Sequence, residues 1–368
     1  MKKIKILHIF GKMDRGGAEM RTLDLMEKLA HDQPHIQFDY CVLSGKPGEL
    51  DSQIRLLGGD IHYLPLNSYF IPRFKKILKE KKYHTVHSHV HLFSGLILKL
   101  SFACKVPVRI CHLHTTGENK SLGLRKKLQN SLMRYWLFKY STDVIGVSQG
   151  ALDIFLKKTP KFTRDPRCRL IYDAIDPARF EIEAQDRDLT TPVIIHIGRI
   201  EPVKNHPRLL EIFSTLVQKI PGSRLVLVGN AETSAQKKLE KLAKTLGISN
   251  QVTFLGSRND VPELLSTASL MIFPSFWEGL PGVVLEASAS GVPVLSSDLP
   301  GSRELGKYFP SVHCLDLSES NEVWCEAAMR CLKTSEKSRK NALTLLKASP
   351  FTLDFCLSHL IPIWTRSQ

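Results

Sequence analysis

The sequence predicts an α/β protein: two Rossmann-like domains facing one cleft, with a C-terminal helix crossing back to the first domain. Three observations carry this. The chain has 368 residues, too many for one ordinary core and enough for two of about 150–200 residues each. Short β-rich runs alternate with longer helical patterns, and the alternation restarts in the second half, as in parallel sheets covered by helices on both faces. Between the two sets lies "EIEAQDRDLTTP" (181–192), polar and without core residues, which reads as a linker. The domains are therefore placed at 1–178, completed by a helix over 352–368, and at 179–351. Open sheets of this type bind ligands beyond the carboxyl ends of their strands, so the cleft is where chemistry is sought.

The first half opens on "IKILHIF" (4–10), a buried strand, and a helix from Ala18 to Leu29. "FDYCVL" (38–43) is the next strand, followed by a helix around 48–57, a strand "IHYLP" and a basic helix "IPRFKKILKEKKY". "TVHSHV" (85–90) is a strand with an apolar helix to Cys104 behind it. "VRICHLHTT" is a strand ending in polar residues, a long basic helix fills about 122–140, and "DVIGVS" is a strand. In the second half "VIIHIGR", "RLVLVG", "VTFLG", "LMIFPS" and "PVLSSD" are strands. Such short, nearly continuous apolar runs suit strands covered on both faces. The last stretch, "PFTLDFCLSHLIPIW", is amphipathic and helical.

Hydrophobic content of 43% and charged content of 24% are those of a globular protein. The net charge of +15 is lopsided: residues 1–180 hold 31 Lys+Arg against 16 Asp+Glu, and the remainder holds 20 of each. The first half is thus expected to meet an anionic partner: a nucleic acid, an anionic membrane surface or a phosphorylated substrate. No nucleic-acid motif accompanies the charge. Eight cysteines without a C-x-x-C pair, several in apolar runs, point to reduced thiols and a cytosolic compartment. The N-terminal apolar run is short, interrupted by His8 and without a cleavage site, so it reads as a strand and not a signal peptide. No apolar stretch is long enough to span a bilayer.

The most informative segment is "FWEGLPGVVLEASASG", Phe276–Gly291. Pro281 suits a first helical position. The N–H groups of Gly282, Val283 and Val284 would then form a positive helix end for an anion such as a diphosphate. Gly279 and Gly282, on either side of Leu280 and Pro281, let the backbone approach closely. Glu286, inside the helix, would be repelled by a diphosphate but suits the two hydroxyls of a ribose. Glu278, in the loop, could accept hydrogen bonds from a sugar. In "IHIGRIEPVKNH", Arg199 stands at a strand end and Lys204 follows in a loop. Together they can hold a diphosphate whose charge grows as it leaves. In "GKMDRGGAE", Gly16 and Gly17 fit a backbone approach to phosphate, although neither G-x-G-x-x-G nor a P-loop is present.

His87, His89 and His91 alternate and share a face if their strand runs that far; His112 and His114 do the same. That spacing permits a zinc site, but no acidic or cysteine ligands cluster in the sequence nearby. These histidines either line the cleft or core, or bind a sugar or acceptor, with His89 and His114 favoured for binding. Asp186 and Asp188 form an Asp-x-Asp in the polar linker and read as solvated.

Taken together these pieces resemble the retaining glycosyltransferases of the GT-B fold in their largest family, family 4. Glu278 and Glu286 match its E-x7-E motif, Arg199 and Lys204 its diphosphate-binding pair, Gly16 and Gly17 its N-terminal glycine loop, and His114 a histidine that approaches the donor sugar. "GKMDRGGAE", "VHSHVHLFSG", "HLHTT", "AIDPARF" and "EGLPGVVLEASASGVPVL" are most similar to the exopolysaccharide and capsule branch.

The resemblance implies a nucleotide-sugar donor, most often UDP-linked, bound by the second domain through Gly279, Leu280, Gly282, Val283 and Glu286. It implies a glycan or polyprenyl-diphosphate-linked acceptor on the first domain, where His87 and His89 are candidates, and transfer with retention. No metal or other cofactor is implied; the nucleotide-sugar is a substrate. Arg125, Lys126 and Lys127, in the aromatic-containing run "RKKLQNSLMRYWLFK", would face an anionic membrane at its inner side. The chain departs from the family at "YDAID", where Tyr172 and Asp173 replace the usual Asn or Asn-Gly, and at Gly282, where a larger residue is frequent. A sugar-nucleotide 2-epimerase or a non-catalytic nucleotide-sugar binder is the competing expectation.

Overall fold

The structure is a computed structural model that describes residues 3–114, 123–157, 165–182, 190–333 and 335–366; the Asp186-x-Asp188 pattern lies outside them. The chain forms two compact units, one of Met1–Ile175 with Leu353–Gln368 and the other of Asp176–Thr352.

The first unit is built on strands β1 (Ile4–Phe10), β2 (Ile36–Val42), β3 (Ile61–Tyr63), β4 (Thr85–Ser88), β5 (Val108–Leu113), β6 (Asp143–Gly146) and β7 (Cys168–Leu170). All pair in parallel in the order β3-β2-β1-β4-β5-β6-β7. Alternate β1 side chains serve two cores. Ile6 and Phe10 join one cluster with Phe38 and Tyr40, while Leu7 and Ile9 join another with Val86 and Phe74. His8 lies between Ile6 and Phe10, on the first of these faces, and is fully buried. The C-terminal helix Leu353–Trp364 covers that face through Cys356, Leu357, Leu360, Ile363 and Trp364, spaced as one helical stripe. Its end is pinned by Arg366 Nη2 donating to the buried Asp143 Oδ2 at 2.6 Å.

The second unit repeats the pattern with β8 (Val193–Ile197), β9 (Arg224–Val228), β10 (Val252–Gly256), β11 (Leu270–Phe273), β12 (Val294–Ser297) and β13 (Val312–Leu315). All are parallel in the order β10-β9-β8-β11-β12-β13. In each unit the order reverses beside its first strand, between β1 and β4 and between β8 and β11. Ligands bind at such switch points, outside the strand carboxyl ends. The segments Gly11–Gly17 and Gly198–Asn205, and the loops after β4 and β11, occupy those places.

β7 and β13 are not expected from the sequence; each has only three or four residues with charged or polar members. β4 stops at Ser88, so His89 and His91 lie beyond it. His91 has φ 48° and is outside the alternating face. Among the described residues no helix is long and apolar enough to cross a membrane, and all eight cysteines are free thiols.

Candidate functional site

In the second unit, β8 ends at Ile197 and the chain turns at Gly198 and Arg199. Gly229 on neighbouring β9's exit has φ 144°, and a Cβ there would lie 2.1 Å from the Gly198 carbonyl oxygen, so only glycine admits this close approach. A short 3₁₀ turn, Pro202–Lys204, follows, closed by Asn205 in the left-handed region. The Phe276 N–H donates to the Val203 carbonyl at 2.9 Å and ties this turn to the loop after β11. The result is an ion pair that sequence separation hides: Lys204 Nζ lies 2.7 Å from Glu278 Oε1, each side chain 18% exposed. The Lys204 stem runs along Gly198, and its ammonium sits 4.9 Å from the centre of the Phe273 ring. Glu278, Gly198 and Phe273 thus orient one amine.

The helix after this loop spans Gly282–Ala289. Pro281 is its N-cap and not its first helical residue, with φ −75° and ψ 98°. The Val284 and Leu285 N–H groups bond to the Pro281 carbonyl at 3.0 and 3.2 Å. That narrows the expected anion-facing set: Gly282 and Val283 retain the outward amides of the first turn, while Val284 is engaged. Gly282, Val283 and Glu286 are half-buried whereas Val284, Leu285 and Ala287 are buried. Glu286 therefore shares the open helix face with the two amides, four and three residues away. Leu280 is 7% exposed, so its side chain packs and only its backbone is offered. Gly301 braces the loop: a Cβ there would lie 2.3 Å from the Gly279 carbonyl oxygen. Arg199 is the more open cation, 53% exposed and 3.3 Å from Glu201.

In the first unit, Gly16 is the extended N-cap of the helix Gly17–Asp32. A Cβ at Gly16 would lie 2.3 Å from Glu19 Oε2. The Glu19 carboxylate thus folds over this helix start, and the open approach is at Gly17, where a Cβ would meet nothing. Just past β5, His114 belongs to a cluster with His8, His87, His89 and His112 around a small pocket also lined by Asp173. His89 Nδ1 is 2.8 Å from His114 Nε2 and His8 Nδ1 is 3.0 Å from His89 Nε2. Trp364 Nε1–H donates to His87 Nδ1 at 3.2 Å, and His87 Nε2 is 3.2 Å from His112 Nδ1. Burial, followed by repulsion from neighbouring imidazoles, holds His87, His89 and His112 well below the ordinary histidine range. Desolvation alone takes His8 to about 3. In the second unit burial, helped by the Lys204 charge, takes His206 to about 4.

Arg125, Lys126 and Lys127 are exposed on the first turn of the helix Leu124–Tyr140, which has no acidic residue in that turn. Three cations at the positive end of a helix dipole are unfavourable without an outside anion. Leu128, Leu132 and Tyr135, at i, i+4 and i+7, are 74%, 43% and 56% exposed.

Residues 178–309 match the family described as glycosyl transferases group 1, and residues 15–179 match Glycosyltransferase Family 4. The capsular polysaccharide biosynthesis glycosyltransferase CapH of Staphylococcus aureus is 30% identical over 366 residues, 98% of each chain. The Escherichia coli UDP-Gal:alpha-D-GlcNAc-diphosphoundecaprenol alpha-1,3-galactosyltransferase is 26% identical over 83% of this chain and 82% of its own. The crystal structure of Anabaena Alr3699/HepE in complex with UDP-glucose superposes with a TM-score of 0.79 at 18% identity, covering 98% and 99% of the two chains. That likeness establishes the GT-B fold. The chain belongs to the group 1 glycosyltransferases; of the relatives, CapH is a glycosyltransferase of capsular polysaccharide biosynthesis.

Proposed function

We propose that this protein moves a hexose from a nucleotide-sugar, UDP-linked, to a glycan or polyprenyl-diphosphate-linked acceptor with retention at the anomeric carbon, in cell-surface polysaccharide synthesis. The observation that carries the reading is the Lys204–Glu278 pair beside the Gly282–Val283 amides. An ammonium has three donors. Glu278 takes one, which leaves others for phosphate oxygens, and Glu278 keeps acceptor capacity for a sugar hydroxyl. Arg199, whose side chain makes an exposed contact with Glu201 among the described residues, is able to swing to the same phosphates. Glu286 takes the ribose hydroxyls and the amides of Gly279, Leu280, Gly282 and Val283 line the donor. His114 contacts the donor sugar and Gly17 approaches its phosphates, with Gly16 beneath the Glu19 carboxylate. His89 serves the acceptor side; the acceptor contact expected of His87 falls away because it is buried with both nitrogens engaged.

In the step itself the acceptor hydroxyl attacks the anomeric carbon on the face from which the diphosphate departs. The new C–O bond forms as the C–O bond to phosphate breaks, and the leaving phosphate oxygen takes the hydroxyl proton. Arg199, Lys204 and the helix end stabilise the growing charge, so no metal is required at the diphosphate. The cations Arg125, Lys126 and Lys127 with the apolar stripe Leu128, Leu132 and Tyr135 hold the protein peripherally on an anionic membrane, at its cytoplasmic face. UDP release by purified protein over a panel of nucleotide-sugars, with acceptor present and in excess EDTA, tests the reading. Turnover with one UDP-sugar is expected. Turnover that appears only with added Mg²⁺ or Mn²⁺ rejects the metal-independent step, and nucleotide-sugar isomerisation without transfer favours the epimerase.

A further inference from the structure

The histidine cluster of the first unit contains more polar atoms than its own hydrogen bonds satisfy. Trp364 can only donate, so His87 accepts at Nδ1 and carries its proton on Nε2. That proton goes to His112 Nδ1, which puts the His112 proton on Nε2, a buried atom with no partner. On the other branch, Asp173 Oδ2 lies 3.7 Å from His114 Nδ1, beyond hydrogen-bond length, so Nδ1 has no hydrogen-bond partner, and the nearby carboxylate charge favours the His114 proton on that side. His114 Nε2 then accepts from His89 Nδ1, and His89 Nε2 accepts from His8 Nδ1. His8 Nε2 is left as a buried lone pair without a partner. Both branches thus end on a dangling nitrogen, which buried networks normally avoid.

We propose that His89, His112 and His114 form a binding site for one divalent transition-metal ion of the zinc class, with Asp173 orienting His114. One nitrogen from each ring lies within 4.8 Å of the others; zinc–nitrogen bonds of about 2.0–2.1 Å place tetrahedral ligand atoms roughly 3.4 Å apart, so binding draws the three rings together by up to roughly 1.4 Å. The Asp173 carboxylate beside His114 Nδ1 is the outer partner that metal-bound histidines ordinarily have. It presents His114 Nε2 as the ligand atom. A metal between His114 Nε2 and His89 Nδ1 replaces their hydrogen bond, moves the His89 proton to Nε2 and the His8 proton to its Nε2, which changes from acceptor to donor and stays without a partner. Engaging His112 costs one bond of the His87 branch. Three coordinate bonds thus replace two hydrogen bonds. An all-imidazole set selects zinc, cobalt, nickel or copper over magnesium and calcium. His114 and Asp173 are each partly exposed, which supplies an entry path. On the reading of His114 given above, metal and donor sugar compete for one nitrogen, so occupation inhibits transfer.

The test is a titration of tag-free full-length protein with Co²⁺ and Zn²⁺, read by visible absorption and by thermal unfolding. One ion per chain is expected, with a metal-dependent rise in unfolding temperature. Asp173→Asn should weaken binding by about 10–100-fold, and His112→Gln at least as much. His31→Gln, at an exposed histidine outside the cluster, should leave it unchanged. Asp173 lies at the rim, so its variant informs even if His112→Gln does not fold. Equal affinity in wild type and Asp173→Asn, or no stoichiometric binding, overturns the proposal.

Discussion

Replacing Lys204 by alanine separates catalysis from packing. In the resting protein its ammonium neutralises Glu278 at 2.7 Å, and both side chains are mostly but not wholly buried. Loss of one partner of a fully buried pair costs about 3–5 kcal/mol, while exposed pairs contribute about 0–1 kcal/mol. With 18% exposure, Lys204→Ala should therefore destabilise the second unit by about 1–2 kcal/mol. On the proposed mechanism, the transition state also loses the cation that would meet the departing diphosphate. One such contact is worth about 2.7–4 kcal/mol, or roughly 10²–10³ in kcat. Steady-state UDP release gives kcat, and urea unfolding gives stability. The double variant Lys204→Ala with Glu278→Gln removes the orphaned charge and should recover most of the lost stability. It should not recover turnover. A double variant that turns over at near wild-type rate would refute the reasoning, because Lys204 would then serve only to balance Glu278. Arg199→Ala is the companion: its exposed side chain predicts a similar loss of kcat with stability changed by about 0.5 kcal/mol or less.

Three further outcomes are expected. Gly301→Ala, which puts a Cβ 2.3 Å from the Gly279 carbonyl oxygen, should displace the Glu278–Gly282 loop and raise the donor KM, measured by UDP release; an unchanged KM argues against the bracing role. Reversing Arg125, Lys126 and Lys127 to glutamate should lower co-sedimentation with anionic vesicles by at least about 100-fold, at about 1 kcal/mol per lost cation, and no difference removes the membrane contact. Buried histidines should make the protein acid-sensitive. Folded-state values below the ordinary 6.5 for His8, His87, His89, His112, His196 and His206 mean that the unfolded chain binds more protons as pH falls. Their contribution is present above pH 6.5 and is lost as pH drops towards about 4 for His206 and about 3 for His8. Each histidine adds at most about 1.4 kcal/mol per pH unit; a urea midpoint that is flat from pH 7 to 5 contradicts this.

Periodicity and local punctuation carry the parts of this protein that depend on near neighbours in the chain. The β8 run "VIIHI" and the β11 run "LMIF" are apolar because both faces are covered, and strands of that kind announce themselves. The helix start after Gly279, and the placing of Glu286 on the same face as Gly282 and Val283, follow from helical geometry alone. β7 and β13 are not legible in the sequence because a three- or four-residue edge strand with polar members has no period to read. Pro281 stands one position before its expected place because its φ of −75° suits either position, and only the extended ψ of 98°, set by the loop, makes it the cap.

What the tertiary structure decided is which distant groups meet. The Lys204–Glu278 pair spans 74 residues and exists because β8 and β11 are neighbours in the sheet. Asp173, noticed in the sequence only as a departure from family usage, stands beside His114, and Trp364 reaches back to His87. Parallel-sheet order brings Lys204 to Glu278, and packing of the C-terminal helix on the sheet brings Trp364 to His87. Strand order is a property of long-range packing, and no local pattern of residues encodes it.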